Sequence, residues 1–305
     1  MQKIFFAVLF TVIFFLNSLC CAYAPEGKCF ITMLNVPLGD SFLVETATEN
    51  VLIDAGDFEG RKRLVQQLRD AGITRLEKII LTHPHADHIG GVGAVLKNFP
   101  VDLIIDNGIE SNNPFYQKYR AAPVKFKSVV AGDVLGLGGG VIMKIYNPDA
   151  ETVNRVNNGA RSNPNNESIV GKLIFGDLTV LFTGDIERIQ EERIYKKYHH
   201  QLKAVVLKAP HHGSRTSSSE DFIDFVDPTY VFISAGENNP FGHPHKQPLA
   251  TYRFDYVLPE NIFCTKFNGV VRIESDGKNH ELTIEKCVDW VEQYTGQKIT
   301  VTRIL

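Results

Sequence analysis

Residues 82–91 read Thr-His-Pro-His-Ala-Asp-His-Ile-Gly-Gly, directly after the apolar run Ile79-Ile80-Leu81. Four groups able to bind a metal, His83, His85, Asp87 and His88, fall within six positions. Imidazole suits zinc and similar ions, and aspartate adds negative charge. Two residues apart on an extended loop, His83 and His85 can aim at one ion. Asp87 and His88, adjacent at the start of a helical turn, can face a second. Pro84 stiffens the loop and lowers the entropy of ordering it. A solvated histidine-rich loop would explain neither the aspartate nor the Gly90-Gly91 exit.

The rest of the chain is ordinary globular sequence. It has 305 residues, 44% hydrophobic and 22% charged, without an internal repeat. That excludes disorder, collagen and coiled coil, and it suffices for a large core. Net charge is −3, from 32 Lys+Arg against 35 Asp+Glu. A broad basic footprint for duplex DNA is absent, so stable duplex binding is not expected. A local basic groove, or a metal-centred site for a small phosphodiester, stays open.

At the N-terminus, Lys3 precedes thirteen uncharged, mostly apolar residues, Ile4–Leu16. A membrane span needs about 20, so residues 1–24 read as a signal peptide, with Ala22-Tyr23-Ala24 as an A-x-A cleavage site. Pro25 after it is unfavourable. The expectation is an exported protein, periplasmic or secreted. It would touch membrane only if the signal stays uncleaved or Cys20 or Cys21 is lipidated, and Asn17-Ser18-Leu19 is a poor lipobox. Cys29, Cys264 and Cys287 are not spaced as a zinc pair. One disulfide and free buried thiols both remain open.

No linker divides residues 25–286, which read as one domain, with 287–305 as an add-on helix or strand. Strands are expected at Cys29–Asn35, Ser41–Thr46, Asn50–Asp54, Glu77–Thr82, Val101–Asp106, Val141–Tyr146, Ser168–Phe175, Leu178–Thr183, Lys203–Lys208 and Tyr230–Ser234. Helices are expected at Gly60–Ala71, Gly91–Asn98, Ile186–Tyr198 and Ser218–Val226. Residues 107–128 read as irregular, and Ala150–Asn166, with six Asn and no aromatic residue, as a mobile surface loop. Strands early, helices interspersed and strands again suggest a layered α/β arrangement.

His83-Pro84-His85-Ala86-Asp87-His88 resembles the HxHxDH signature of the metallo-β-lactamase-fold superfamily. The resemblance implies an αββα four-layer sandwich of α/β (α+β) class, with the metal site at one edge of the two sheets. Further segments, in order along the chain, are similar to the hydrolase domain of ComEC-type DNA-uptake competence proteins. They are Asp54-Ala55-Gly56, Asn165-Asn166-Glu167-Ser168, Leu181-Phe182-Thr183-Gly184-Asp185, Pro210-His211-His212-Gly213-Ser214 and Gly242-His243-Pro244-His245. The likeness covers about residues 30–275. Those competence proteins carry a multi-helix channel, and nothing in this sequence reads as one.

The resemblance implies two divalent ions, Zn2+ or Mn2+. His83 and His85 would hold the first, Asp87 and His88 the second, and Asp185 both. One histidine of the PHHGS segment, His211 in preference to His212, would complete the second site, leaving His212 to face substrate. Asp185 is alternatively a helix cap, and His211-His212 a polar loop. Asp54 would orient a ligand imidazole, or serve as a turn carboxylate before Gly56. Asn166, Ser168 and Ser214 are placed beside the ligands or substrate. Many superfamily members supply a third histidine to the first metal, but no histidine lies between His88 and His199. The Asn165–Ser168 segment stands there instead. That argues against a β-lactamase and leaves the metal open, since oxygen-richer sites tolerate manganese.

Two divalent ions, set against Asp87, Asp185 and a bridging hydroxide, leave net positive charge, which favours a phosphodiester anion. The expectation is a metal-dependent phosphodiesterase or nuclease, with single-stranded DNA a candidate substrate. The alternatives are a lactonase or small-diester hydrolase, or a non-catalytic binding module. Asp87, His212, His243 and His245 are the catalytic candidates, with Ser214 near the phosphate; His243-Pro244-His245 is alternatively a structural turn. Lys208, Arg215 and Lys246 read as surface charges that can add positive field. Gly136–Gly140 reads as a turn, Ser217–Ser219 as a helix cap region and His199-His200 as exposed. Tyr116 and Tyr119, with nearby Lys118, Arg120, Lys125 and Lys127, read as a solvated loop or a stacking groove for single strands.

Overall fold

The computed structural model describes residues 23–237, 239–254, 257–288 and 290–295. The signal-peptide expectation therefore falls, up to residue 22, outside the described residues. No helix among those described is long and apolar enough to cross a membrane.

Strands are numbered here in chain order. One sheet contains β1 (Cys29–Met33), β2 (Phe42–Thr46), β3 (Asn50–Ile53), β4 (Leu76–Ile80), β5 (Val101–Asp106), β6 (Lys125–Ser128), β14 (Val271–Ser275) and β15 (His280–Ile284). Their order across the sheet is β15-β14-β1-β2-β3-β4-β5-β6. The other sheet contains β7 (Val134–Gly136), β8 (Ile142–Asn147), β9 (Val170–Phe175), β10 (Leu178–Phe182), β11 (Val206–Lys208), β12 (Tyr230–Ile233) and β13 (Ile262–Cys264). Its order is β13-β12-β11-β10-β9-β8-β7. Helices are α1 (Arg61–Asp70), α2 (Ala86–Ile89), α3 (Val92–Asn98), α4 (Pro114–Arg120), α5 (Ala150–Asn157), α6 (Arg188–Tyr198), α7 (Glu220–Val226), α8 (Lys246–Phe254), α9 (Thr265–Asn268) and α10 (Val291–Thr295).

Side-chain alternation explains the layering. In β2, Phe42 and Val44 join the core between the sheets, while Leu43 faces the helices outside. In β10, Val180 and Phe182 point inward, and Leu181 joins the opposite outer layer. Strands covered on both faces read as continuous apolar runs. Leu64 and Leu68 of α1 and Val92 and Val95 of α3 cover the first sheet. Ile194 of α6, Phe222 and Ile223 of α7 and Leu249 of α8 cover the second. The result is the expected αββα sandwich. β3, β4 and β5 run parallel, as do β10, β11 and β12. The loops leaving these strands therefore gather at one edge.

Several expectations are corrected. Ala150–Asn166 is not a loop throughout: α5 forms because Asp149 Oδ1 accepts the Thr152 N–H and caps it. All of α5 is at least partly exposed, so no apolar stripe marks it in the sequence. Residues 107–128 contain α4, started by Asn113 and Pro114, and β6. Tyr116 and Tyr119 are buried in the first outer layer, neither in a solvated loop nor open for stacking. α6 begins at Arg188 with Glu187 as its cap, so Asp185 is not the helix cap. The expected cap region holds, with Ser219 as the N-cap residue of α7, although its side chain makes no cap hydrogen bond. Cys29, Cys264 and Cys287 are free; Cys29 and Cys264 lie in different core layers. Beyond residue 286, Trp290 and Val291 pack into the second outer layer, and Trp290 Nε1 donates to the Ile262 carbonyl.

Candidate metal centre

The apolar strand β4 delivers Thr82 to the gathering edge, and α2 opens at once behind His85. Asn113 Nδ2 donates to the Pro84 carbonyl and pins the loop. Asp54, after β3, takes the left-handed region at φ 57, which aspartate tolerates better than most side chains. Its Oδ1 accepts the Thr82 N–H at 2.8 Å and its Oδ2 the Thr82 hydroxyl at 2.7 Å. Gly39 passes so close to this turn that a Cβ would stand 1.5 Å from the Asp87 carbonyl oxygen. From the other sheet, Gly184 (φ 50) sets Asp185, whose N–H donates to Ser168 Oγ at 3.0 Å. Asn166 Oδ1 accepts the Glu187 N–H. Asn166 and Ser168 therefore shape the Asp185 loop. His211 and His212, after β11, are also left-handed, at φ 49 and 55.

Four imidazoles approach one carboxylate oxygen, three of them buried. The buried His83, His88 and His212 place Nε2 at 3.9, 3.2 and 3.2 Å from Asp185 Oδ2, and the half-buried His211 places its own at 3.9 Å. Each buried ring engages its other nitrogen outward. His88 Nδ1 meets Asp54 Oδ2 at 2.8 Å, and His212 Nδ1 meets the Ser234 carbonyl at 3.0 Å. His83 Nδ1 is 3.2 Å from the Thr82 hydroxyl, whose proton goes to Asp54. Acceptors on the outside put each proton on Nδ1, an assignment from partners. The three Nε2 atoms are buried and accept no hydrogen bond. Asp87 Oδ2 is 3.4 Å from His212 Nε2 and 3.9 Å from His88 Nε2. One ligand atom from each of Asp87, His88, Asp185 and His212 lies within 4.8 Å of the others.

Buried polar atoms without partners are costly, and the Asp185 charge needs a cation beside it: either protons on Nε2 of His88 and His212, or a metal ion that their Nε2 lone pairs and Asp185 Oδ2 share. The residues therefore fit a divalent ion. Charge agrees. Burial would lower the pKa of His88 and of His212, but carboxylates outweigh it and hold both well above the ordinary imidazole value. The site attracts positive charge, and a metal competes with protons for it. Burial and the neighbouring His88 keep His83 well below the ordinary value, so it is neutral. Lys208 is buried. Its Nζ lies 2.5 Å from Asp40 Oδ2, 2.7 Å from the Gly184 carbonyl and 3.5 Å from Asp185 Oδ1. Asp40 Oδ1 lies 3.1 Å from His212 Nδ1.

A profile of the metallo-beta-lactamase superfamily matches residues 34–237. The chain belongs to that superfamily. This metallo-β-lactamase-fold chain is 32% identical over 284 residues to ComE operon protein 3 of Bacillus subtilis (strain 168), covering 86% of the chain and 34% of that protein. It is 33% identical over 223 residues to competence protein ComA of Neisseria gonorrhoeae, covering 72% of the chain and 29% of that protein. The chain thus spans about a third of the length of these curated relatives. Among solved structures, the metallo-beta-lactamase fold protein YhfI from Bacillus subtilis aligns over 80% of this chain and 98% of its own, at 13% identity and TM-score 0.49.

Asp87, Asp185 and His212 of the candidate metal cluster line a cleft of about 790 Å3. His85, His211, Ser214, His243 and His245 line it rather than joining the four-group cluster. The structure places His212 in that four-group cluster; His211 Nε2 lies 3.9 Å from Asp185 Oδ2, as far as that of His83, and its Nδ1 meets Thr216 Oγ1 at 3.2 Å. His243 stacks on Phe241, and burial with the adjacent His212 and His211 pushes it down to about 3. His245 Nδ1 accepts the Arg215 N–H. Ser214 Oγ pairs with Thr216 Oγ1. Arg215 and Lys246 are exposed, but Lys208 is no surface charge; it neutralises Asp40 and Asp185 inside the site. The sequence reading gave Asp40 no role. Its only linear signal is an aspartate after Gly39 at the end of a strand-to-strand loop.

Proposed function

We propose that this superfamily hydrolase is an exported, binuclear metal-dependent phosphodiesterase acting on single strands of nucleic acid. The observation that carries it is the convergence of three buried, oriented imidazoles on Asp185 Oδ2, with Asp185 and His212 opening onto a cleft. Asp87, His88, Asp185 and His212 would hold one ion, and His83 and His85, with Asp185, the other. Zn2+ and Mn2+ both suit this mixed nitrogen and oxygen set. When bound, such ions lower the pKa of water to about 7 and stabilise the charges of an in-line displacement. The chain does the rest. Asp54 and the Ser234 carbonyl fix the imidazole tautomers. Lys208 offsets buried carboxylate charge. His243 is neutral at working pH, so it meets the substrate as a hydrogen-bonding group rather than as an imidazolium.

The likeness to competence protein ComA, and at 30% identity to recombination protein 2 of Haemophilus influenzae, supports a nucleic-acid substrate. The apolar run Ile4–Leu16 supports export to periplasm or medium. A second reading, hydrolysis of a small apolar ester, lactone or diester, is favoured by the Leu38, Phe58, Phe115 and Phe241 walls of the cleft.

The test is hydrolysis of bis-p-nitrophenyl phosphate by the purified protein with Zn2+ or Mn2+. Turnover should vanish in chelator and drop at least about 100-fold in Asp185→Asn. A folded, metal-loaded protein without turnover would sink the phosphodiesterase reading and favour the ester or binding alternatives.

A further inference from the structure

One wall of the metal cleft is the Phe58–Phe115 pair, with ring centroids 5.6 Å apart. The same two side chains line a second recess of about 180 Å3, formed by α1, α3 and α4. The two hollows therefore meet across this aromatic wall. The second recess carries Arg61, Lys97 and Lys118. Among the described residues, none of these three cations is paired with a carboxylate. Arg61 is also fixed: its guanidinium carbon lies 3.6 Å above the Phe58 ring, and its Nη1 donates to the Phe58 carbonyl. The acids nearby do not cancel this charge. Asp57 accepts the Gly60 and Glu59 N–H groups of its own turn, and Glu59 is exposed on the cleft side.

In a chain of net charge −3, three uncompensated cations in one recess are a local feature with a local use. Cations meet phosphates, and aromatic edges and faces hold unpaired bases. A duplex keeps its bases stacked inside and gains nothing from the aromatic wall. We propose that a single strand runs from the metal centre, across Phe58 and Phe115, into the recess, where Arg61, Lys97 and Lys118 meet its phosphates. This rests on the phosphodiesterase reading and adds the residues that would favour a polymer over a small diester.

The experiment measures fluorescence anisotropy of labelled oligo-dT, from about 4 to about 16 nucleotides, with the full chain in chelator so that nothing is cut. Affinity should rise with length, and a duplex should bind more weakly. Each phosphate contact adds about 0.7 to the salt slope for single strands. Lys97→Gln with Lys118→Gln should therefore flatten the slope by about 1.4, whereas Lys144→Gln, exposed on β8, should leave it unchanged. An unaltered slope in the double variant, or duplex binding as tight as single-strand binding, overturns the track. Hydrolysis of bis-p-nitrophenyl phosphate with metal restored reads the catalytic proposal separately. Diester turnover with an unaltered slope rejects the track alone. A slope that flattens as expected in a protein without diester turnover rejects the catalytic reading and upholds the track.

Discussion

Asp54 shows how one residue can serve the metal centre without reaching it. Its two oxygens accept from Thr82 N, Thr82 Oγ1 and His88 Nδ1. This carboxylate holds the His88 ring so that Nε2 faces Asp185. Asp54→Asn keeps the shape but can offer an amide N–H where an acceptor is needed. Metal affinity should fall about 10–100-fold, read by competition with a chromogenic chelator. Unchanged affinity would remove Asp54 from the support of the centre. At this scale the hexad could be read directly, because four side chains within six positions share one loop, whereas Asp54 and Asp185 were reached only through the family resemblance. Asp40 and Lys208 were legible by neither route. They meet at 2.5 Å although 168 positions apart in the chain, and a lone lysine or aspartate ordinarily signals surface. Nor did the sequence show that His211 and His212 both stand in a left-handed turn, with Nε2 at 3.9 and 3.2 Å from Asp185 Oδ2.

Between elements, the junction of α6 and α7 carries a buried carboxyl. Glu191 accepts the Ser218 and Ser219 N–H groups and the Ser219 hydroxyl. It thereby holds the start of α7, where the Ser219 N-cap side chain makes no cap hydrogen bond of its own. Burial nonetheless pushes its pKa up, from 4.5 to about 7. The folded chain therefore binds more protons than the unfolded chain between those values. Its contribution is fully present below about 4.5 and is lost as pH rises through about 7. Relative to Glu191→Gln, which does not titrate, the wild type should lose up to about 3 kcal/mol over that window. Urea unfolding of both proteins at a series of pH values measures this. A constant difference would mean that Glu191 is not perturbed in the fold. Elements with an apolar stripe, such as α1, were readable from spacing. α5 was not, because a fully solvated helix leaves only its Asp149 cap as a signal.

Over the whole molecule, stability and site depend on the same layer. Phe182 of β10 packs edge-on against Phe42 of β2, with centroids 5.3 Å apart, and so joins the two sheets. Phe182→Ala should cost about 3–5 kcal/mol, seen as a lower urea midpoint. Because Gly184 and Asp185 follow immediately, metal content should fall with it. A loss of under about 1 kcal/mol would mean that the sheets close over the gap. The sequence by itself determined the class of fold and the chemistry of the loop. Continuous apolar strands require cover on both faces, and four potential ligands, three His and one Asp, within six residues have little other use. Only the tertiary structure decided which groups share the centre, that Lys208 is buried within it, and that an aromatic wall connects it to a basic recess. Those relations join residues far apart in the chain. They are set by how two sheets stack and where their parallel strands end, which no local pattern encodes.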